Sequence, residues 1–151
     1  DYTWSGFTDS CTGVMIAVSG ADTGSPFDGF TSAANVGTAT PGSASITTTV
    51  ADTLIVGACA EDANNGLSTW ACATDPTTLS ERADFGSSGG SDTNAGIATG
   101  TKATAGATGA MSLAISAARD SSGFLMAVKA RHRLRYRRLK NRHTDRDPDC
   151  R

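Results

Sequence analysis

Large apolar side chains are scarce in this chain. Leu, Val, Ile and Phe together supply 23 of its 151 residues, about 15%, while Ala alone supplies 24. That share falls below the roughly 20% at which a highly charged chain tends to stay unfolded. The core must therefore be thin, with close-packed sheets, disulfides or neighbouring subunits supplying the missing stability. Histidine is scarcer still, with His132 and His143 both near the C-terminus. Residues 1–128 thus hold no imidazole to activate a serine or cysteine, which argues against nucleophilic catalysis there. The four cysteines, at 11, 59, 72 and 150, form no CxxC pair and fit no zinc spacing. Apolar runs such as residues 14–18 reach five residues, far below the roughly 18 of a membrane span. No window longer than ten residues carries a helical stripe.

What is present is a period of two. Met111, Leu113 and Ile115 alternate with Ser112, Ala114 and Ser116, as in a half-buried strand. Ile46, Thr48 and Val50 do the same, and so do Val14, Ile16 and Val18. Leu54-Ile55-Val56 reads as a central strand, apolar on both faces, and further strands are expected near 68–74, 79–85, 95–101 and from 124 onward. Turn clusters lie between them, at 24–26, 86–90 and 106–109. Short strands at this spacing predict an all-β fold, an antiparallel β-sandwich of jelly-roll-like form.

Asn65-Gly66 is the strongest two-residue turn signal in the chain and predicts a hairpin. Around that turn Cys59 falls opposite Cys72 at a non-hydrogen-bonded pair, where Cα atoms lie about 4.5 Å apart, within disulfide range. A Cys59–Cys72 disulfide is therefore expected, with two buried thiols as the alternative. Cys11 and Cys150 are left to bridge each other or neighbouring subunits.

Several residues carry the shape of a chemistry without its partners. Asp22-Thr23-Gly24-Ser25 matches the aspartic-protease signature, but that mechanism needs two such aspartates and the chain holds one copy. A polar turn is the better reading. Asp62, Asp75, Glu81 and Asp84 are close in sequence and read as solvated surface. Asp22, Asp28 and Asp92 lack EF-hand spacing, so no metal and no cofactor are assigned. Trp4 and Trp70 read chiefly as core fillers, with Trp70 the candidate contact if the domain holds a glycan.

Charge divides the chain in two. Residues 1–128 form an acidic domain of net charge −9, and residues 129–151 a basic C-terminal arm of net charge +7. Lys129, Arg131, Arg133, Arg135 and Arg137 take odd positions, while Leu134 and Tyr136 continue the even apolar face that starts at Phe124. One strand over 124–137 would be about 43 Å long, too long for one sandwich, so its second half is expected to pair with another subunit. Arginine density and Tyr136 also allow nucleic-acid binding, the weaker reading because no folded motif supports it.

Three stretches, GVMIAVSGADTGSPFD at 13–28, TTTVADTLIV at 47–56 and LSERAD at 79–84, resemble a known group. It comprises Gly/Ser/Thr/Ala-rich β-sandwich proteins encoded by tailed phages, prophages and bacterial surface-protein genes. The resemblance spans residues 2–130. It implies a jelly-roll-like sandwich in a virion or extracellular structure, and it brings no catalytic residues. The group usually carries further strands before the segment matching YTWS at 2–5, and it tends to stop near Lys129. The expectation is a non-enzymatic structural subunit: a phage decoration protein, a tail appendage or an extracellular filament. Its partners are copies of itself or other subunits of the assembly. A carbohydrate-binding adhesion module is the runner-up, and an enzyme comes third.

Overall fold

The computed structural model describes residues 11–88 and 92–131, and among these it contains strands and no helix. Five strands lie side by side in the order β1 (Phe27–Thr38), β10 (Arg119–Val128), β4 (Thr53–Glu61), β7 (Thr93–Lys102) and β6 (Ser80–Ser87). A second sheet runs β2 (Gly42–Ser43), β9 (Met111–Ile115), β5 (Leu67–Cys72), and β3 (Thr47–Thr48) pairs with β8 (Gly106–Ala107). Every ladder is antiparallel.

Alternation sorts each strand of the large sheet onto two faces. On the inner face Ile55, Cys59, Ala98, Leu125 and Ala127 meet Met111, Leu113, Ile115, Leu67, Trp70 and Cys72 of the three-stranded sheet in one apolar cluster. The few large side chains come mostly from the smaller sheet, and the larger sheet receives them with glycine. A Cβ on Gly57 would lie 2.5 Å from Met111 Sδ, and one on Gly96 would overlap Leu67. A chain poor in Leu and Ile thus closes its core by bringing backbone up to side chain.

Leu54-Ile55-Val56 lies in the middle strand of the five, buried on both faces as expected, and the alternation at 111–115 is β9. Residues 14–18 are not a strand. Val14 and Ile16 instead pack against Val56, Ile97 and Val128 on the outer face of the large sheet. Of the stretch 45–50, only Thr47–Thr48 pairs.

The hairpin at Asn65-Gly66 does not form. Both edges of β4 are taken, by β10 and β7, and the chain crosses at 62–66 to the other sheet. The turn wraps around two carboxylates: Asn65 N–H donates to Glu61 Oε1 at 3.0 Å, and Leu67 N–H to Asp84 Oδ2 at 2.9 Å. Cys59 consequently sits opposite Gly123 and Gly96, and Cys72 opposite Met111. The expected Cys59–Cys72 disulfide is absent, and both thiols are free and buried. Within β5 a bulge between Ser68 and Ala71, with Thr69 at φ +50°, switches the phase of alternation. Leu67 before it and Trp70 and Cys72 after it therefore all point inward.

Candidate interaction surface

β10 ends at Val128, so the single strand expected over 124–137 is interrupted at Lys129. It ends there because Lys129 to Arg131 turn to the chain's own residues 20–26. Lys129 N–H donates to Pro26 O (2.8 Å), Asp22 N–H to Lys129 O (2.9 Å) and Arg131 N–H to Gly20 O (2.7 Å). Lys129 Nζ lies 3.6 Å from Asp28 Oδ1. Two of the expected arm contacts, Lys129 and Arg131, are therefore engaged within the domain. Arg133, Leu134, Arg135, Tyr136 and Arg137 lie outside the described residues, as does Cys150.

Asp28 anchors this corner. Its carboxylate accepts the Thr49 hydroxyl (2.5 Å) and the N–H groups of Thr49 (2.6 Å) and Val50 (3.3 Å). Burial alone would raise its pKa, but the bonds from Thr49 and Val50 and the Lys129 charge together hold it below the ordinary value. Asp22 is simpler: its carboxylate accepts Gly24 N–H at 2.9 Å, the closed polar turn that the Asp-Thr-Gly-Ser stretch suggested.

Trp70 is 3% exposed, and its indole N–H donates to Glu81 at 3.1 Å. The glycan contact assigned to it is corrected: neither ring face is available, because the bulge in β5 turns the ring into the core. Cys59 and Cys72 are equally withdrawn, their thiols pushed up to about 11, first by burial and then by Glu61 and Asp75 respectively.

The exposed apolar side chains gather on the large sheet. Phe27, Phe30 and Val36 stand out from β1, Phe85 from β6, and Met15 and Val18 from the segment crossing the outer face. Phe30 stacks edge-on with Phe124 across the β1–β10 ladder, centroids 4.7 Å apart. The two edge strands differ. β6 carries Glu81, Arg82 and Asp84, the charges that guard an edge against foreign pairing. β1 carries one charge in twelve residues, Asp28, whose side chain is 2% exposed. Among the described residues its one ladder is with β10. A strand of this length is about 40 Å long, and among the described residues no second strand pairs along its outer edge. Sequence reasoning missed β1 altogether, since its Gly, Ala, Ser and Asn give no period-two contrast.

Comparison with known proteins adds no neighbour: no protein-family model, curated protein or solved structure matches this chain.

Proposed function

We propose that the chain is a non-enzymatic structural subunit of a virion surface, such as a phage decoration or tail appendage, or of an extracellular filament. Its sheets are read as a jelly-roll-like antiparallel sandwich. Subunits join head to tail, the basic arm of one copy adding as a strand to β1 of the next. The observation that carries this reading is the β1 edge, long, free of exposed charge and studded with Phe27, Phe30 and Val36. The acidic body and basic arm attract between copies. Because Lys129 and Arg131 are already bonded to residues 20–26, the donated strand begins after Arg131.

The test compares the full chain with a chain truncated after Arg131, by sedimentation velocity and negative-stain electron microscopy. The full chain forms concentration-dependent oligomers, partly dissolved near 1 M salt, where screening shortens to about 3 Å. The truncated chain, and the full chain carrying Phe30→Lys and Val36→Lys on the β1 edge, stay monomeric. Assembly of the truncated chain as readily as the full one overturns the reading.

A further inference from the structure

The end of the large sheet farthest from Lys129 gathers oxygen atoms that lack a positive partner. Glu61, 5% exposed, closes β4. Directly across the ladders stand Asn94 on β7 and Ser121 on β10, 2% and 9% exposed. Asp84 of β6 lies on the same inner face, opposite Gly96. Asn65 donates its backbone N–H and its side-chain amide to the two Glu61 oxygens. Leu67 N–H takes Asp84 Oδ2, and the Asn94 amide nitrogen donates to the Asn65 carbonyl.

These bonds leave a residue of unmet acceptors. Asp84 Oδ1, Asn94 Oδ1 and Thr93 Oγ1 are buried with no partner. Asn94 carries the most weight, since its orphan oxygen belongs to a side chain almost wholly out of water and set opposite Glu61. Each buried acceptor left unmet costs about 1–3 kcal/mol, and two close carboxylates add mutual repulsion. Among the described residues the ion pairs are Lys102–Asp75 and Lys129–Asp28, both at the opposite end, and neither Glu61 nor Asp84 has one. A cleft of about 460 Å³, lined by Asn35, Glu61, Asp62, Thr93, Asp120 and Ser121, opens onto Glu61 from outside.

We propose that Glu61, Asp84 and Asn94 hold a calcium ion, with backbone oxygens of the 62–66 turn and water from the cleft filling its shell. The donor chemistry selects the ion. Calcium accepts carboxylate, amide and backbone oxygens together with water in a flexible shell of six to eight ligands. Among the described residues no three His, Cys, Asp or Glu side chains converge, so amide, backbone and water oxygens would have to complete the shell. The ion would pin the 62–66 crossing to β4, β6 and β7. This site is independent of assembly through the arm.

The experiment titrates the full chain with CaCl2 and with MgCl2 by calorimetry, and follows thermal unfolding in EDTA and in CaCl2. Calcium should half-saturate at about 10⁻⁴–10⁻³ M, the range of extracellular modules, with magnesium much weaker. At a hundredfold excess over Kd the Tm should rise by about 5–10 °C. Glu61→Gln can keep the bond from the Asn65 N–H, and Asp84→Asn can keep the one from Leu67. Each should weaken calcium binding at least tenfold, and if one fails to fold the other carries the test. Absence of heat and of any Tm difference between EDTA and CaCl2 overturns the site, as does an undiminished calcium response in the variants.

Discussion

The two ends of the same core treat buried charge in opposite ways. At one end Lys102, 3% exposed, meets Asp75 at 3.0 Å, and Lys129 lies beside an Asp28 already bonded to Thr49 and Val50. At the other, eight residues along β4, buried Glu61 and half-buried Asp84 share a corner with Asn94, and neither carboxylate has an ion-pair partner among the described residues. A paired charge fixes a loop by attraction and is complete within the chain. An unpaired acidic corner fixes its loop through hydrogen bonds alone. The first end is neutralised within the fold, and the second leaves its charge and several buried oxygens unmet.

The cysteines report on the two ends separately, and the effect should be large. Cys59 neighbours Glu61 and Ser121, while Cys72 neighbours Asp75 and Lys102. A thiol raised from 9 to about 11 offers roughly a hundredfold less thiolate at neutral pH, before any steric protection. In the native chain, of the described cysteines, exposed Cys11 should therefore react with a disulfide reagent, and Cys59 and Cys72 only on unfolding. Peptide mapping after native labelling checks this, and a mapped 59–72 bridge would refute it. Glu61→Gln should speed the slow labelling of Cys59 and leave Cys72 unchanged.

Substitution should then show opposite signs at the two ends. Asp75→Ala leaves the Lys102 ammonium buried without its partner. The cost should be about 2–3 kcal/mol in urea unfolding, below the full range for a buried pair because Asp75 is 39% exposed. Glu61→Gln in EDTA at neutral pH removes a like charge beside Asp84 and keeps an acceptor for the Asn65 N–H, losing only the longer bond from its side-chain amide, so stability should hold or rise. Equal losses from both substitutions would show that the two ends do not differ.

Much of this contrast was hidden in the sequence, for physical reasons. β9 was legible because Met111, Leu113 and Ile115 face one sheet and nothing interrupts their phase. β4 was legible because both of its faces are covered, one by the smaller sheet and the other by Val14 and Ile16, and both are therefore apolar. The Asn65-Gly66 signal failed because local turn propensity cannot know that both edges of β4 are occupied by strands distant in sequence. Trp70 and Cys72 point inward through a bulge that leaves no mark on composition. Asp84 was visible among the acids at 62–84 and read as solvated surface, while Glu61 drew no notice, because its burial depends on how 62–66 folds back over it. Asn94, which makes the corner a site, had no signal in the sequence.

Acid should divide the ends more gently, by about 1 kcal/mol for each unit of pKa displacement. Glu61 titrates above its ordinary value in the fold, so the native state binds that proton more tightly than the unfolded chain. In EDTA its contribution should therefore improve as pH falls from neutral toward 4.5. In excess calcium the same acidification should be destabilising, because protons displace the ion. Asp28 titrates below its ordinary value, so its contribution is present above pH 3.8 and is lost as pH falls through the lower folded value. Thermal unfolding between pH 7 and pH 3, with and without calcium, separates the three behaviours.

The smallest effect belongs to Lys129→Ala, and its size tests why the first end is stable. Lys129 Nζ stands 3.6 Å from Asp28 Oδ1 and 3.5 Å from Ser25 Oγ, and its side chain is 22% exposed. Removing it leaves Asp28 with the Thr49 and Val50 donors and so without a bare buried charge. The backbone bonds of residue 129 to Asp22 and Pro26 do not depend on the side chain. What remains is a partly solvated Coulombic term of about 0.5–1 kcal/mol, which should shrink toward zero near 1 M salt. Because Lys129 helps hold Asp28 in its charged form, the variant should also begin losing stability at a higher pH on acidification. Urea unfolding of both chains at low and high salt reads the difference directly. A loss as large as that from Asp75→Ala, unmoved by salt, would mean that Lys129 packs this corner instead of balancing its charge.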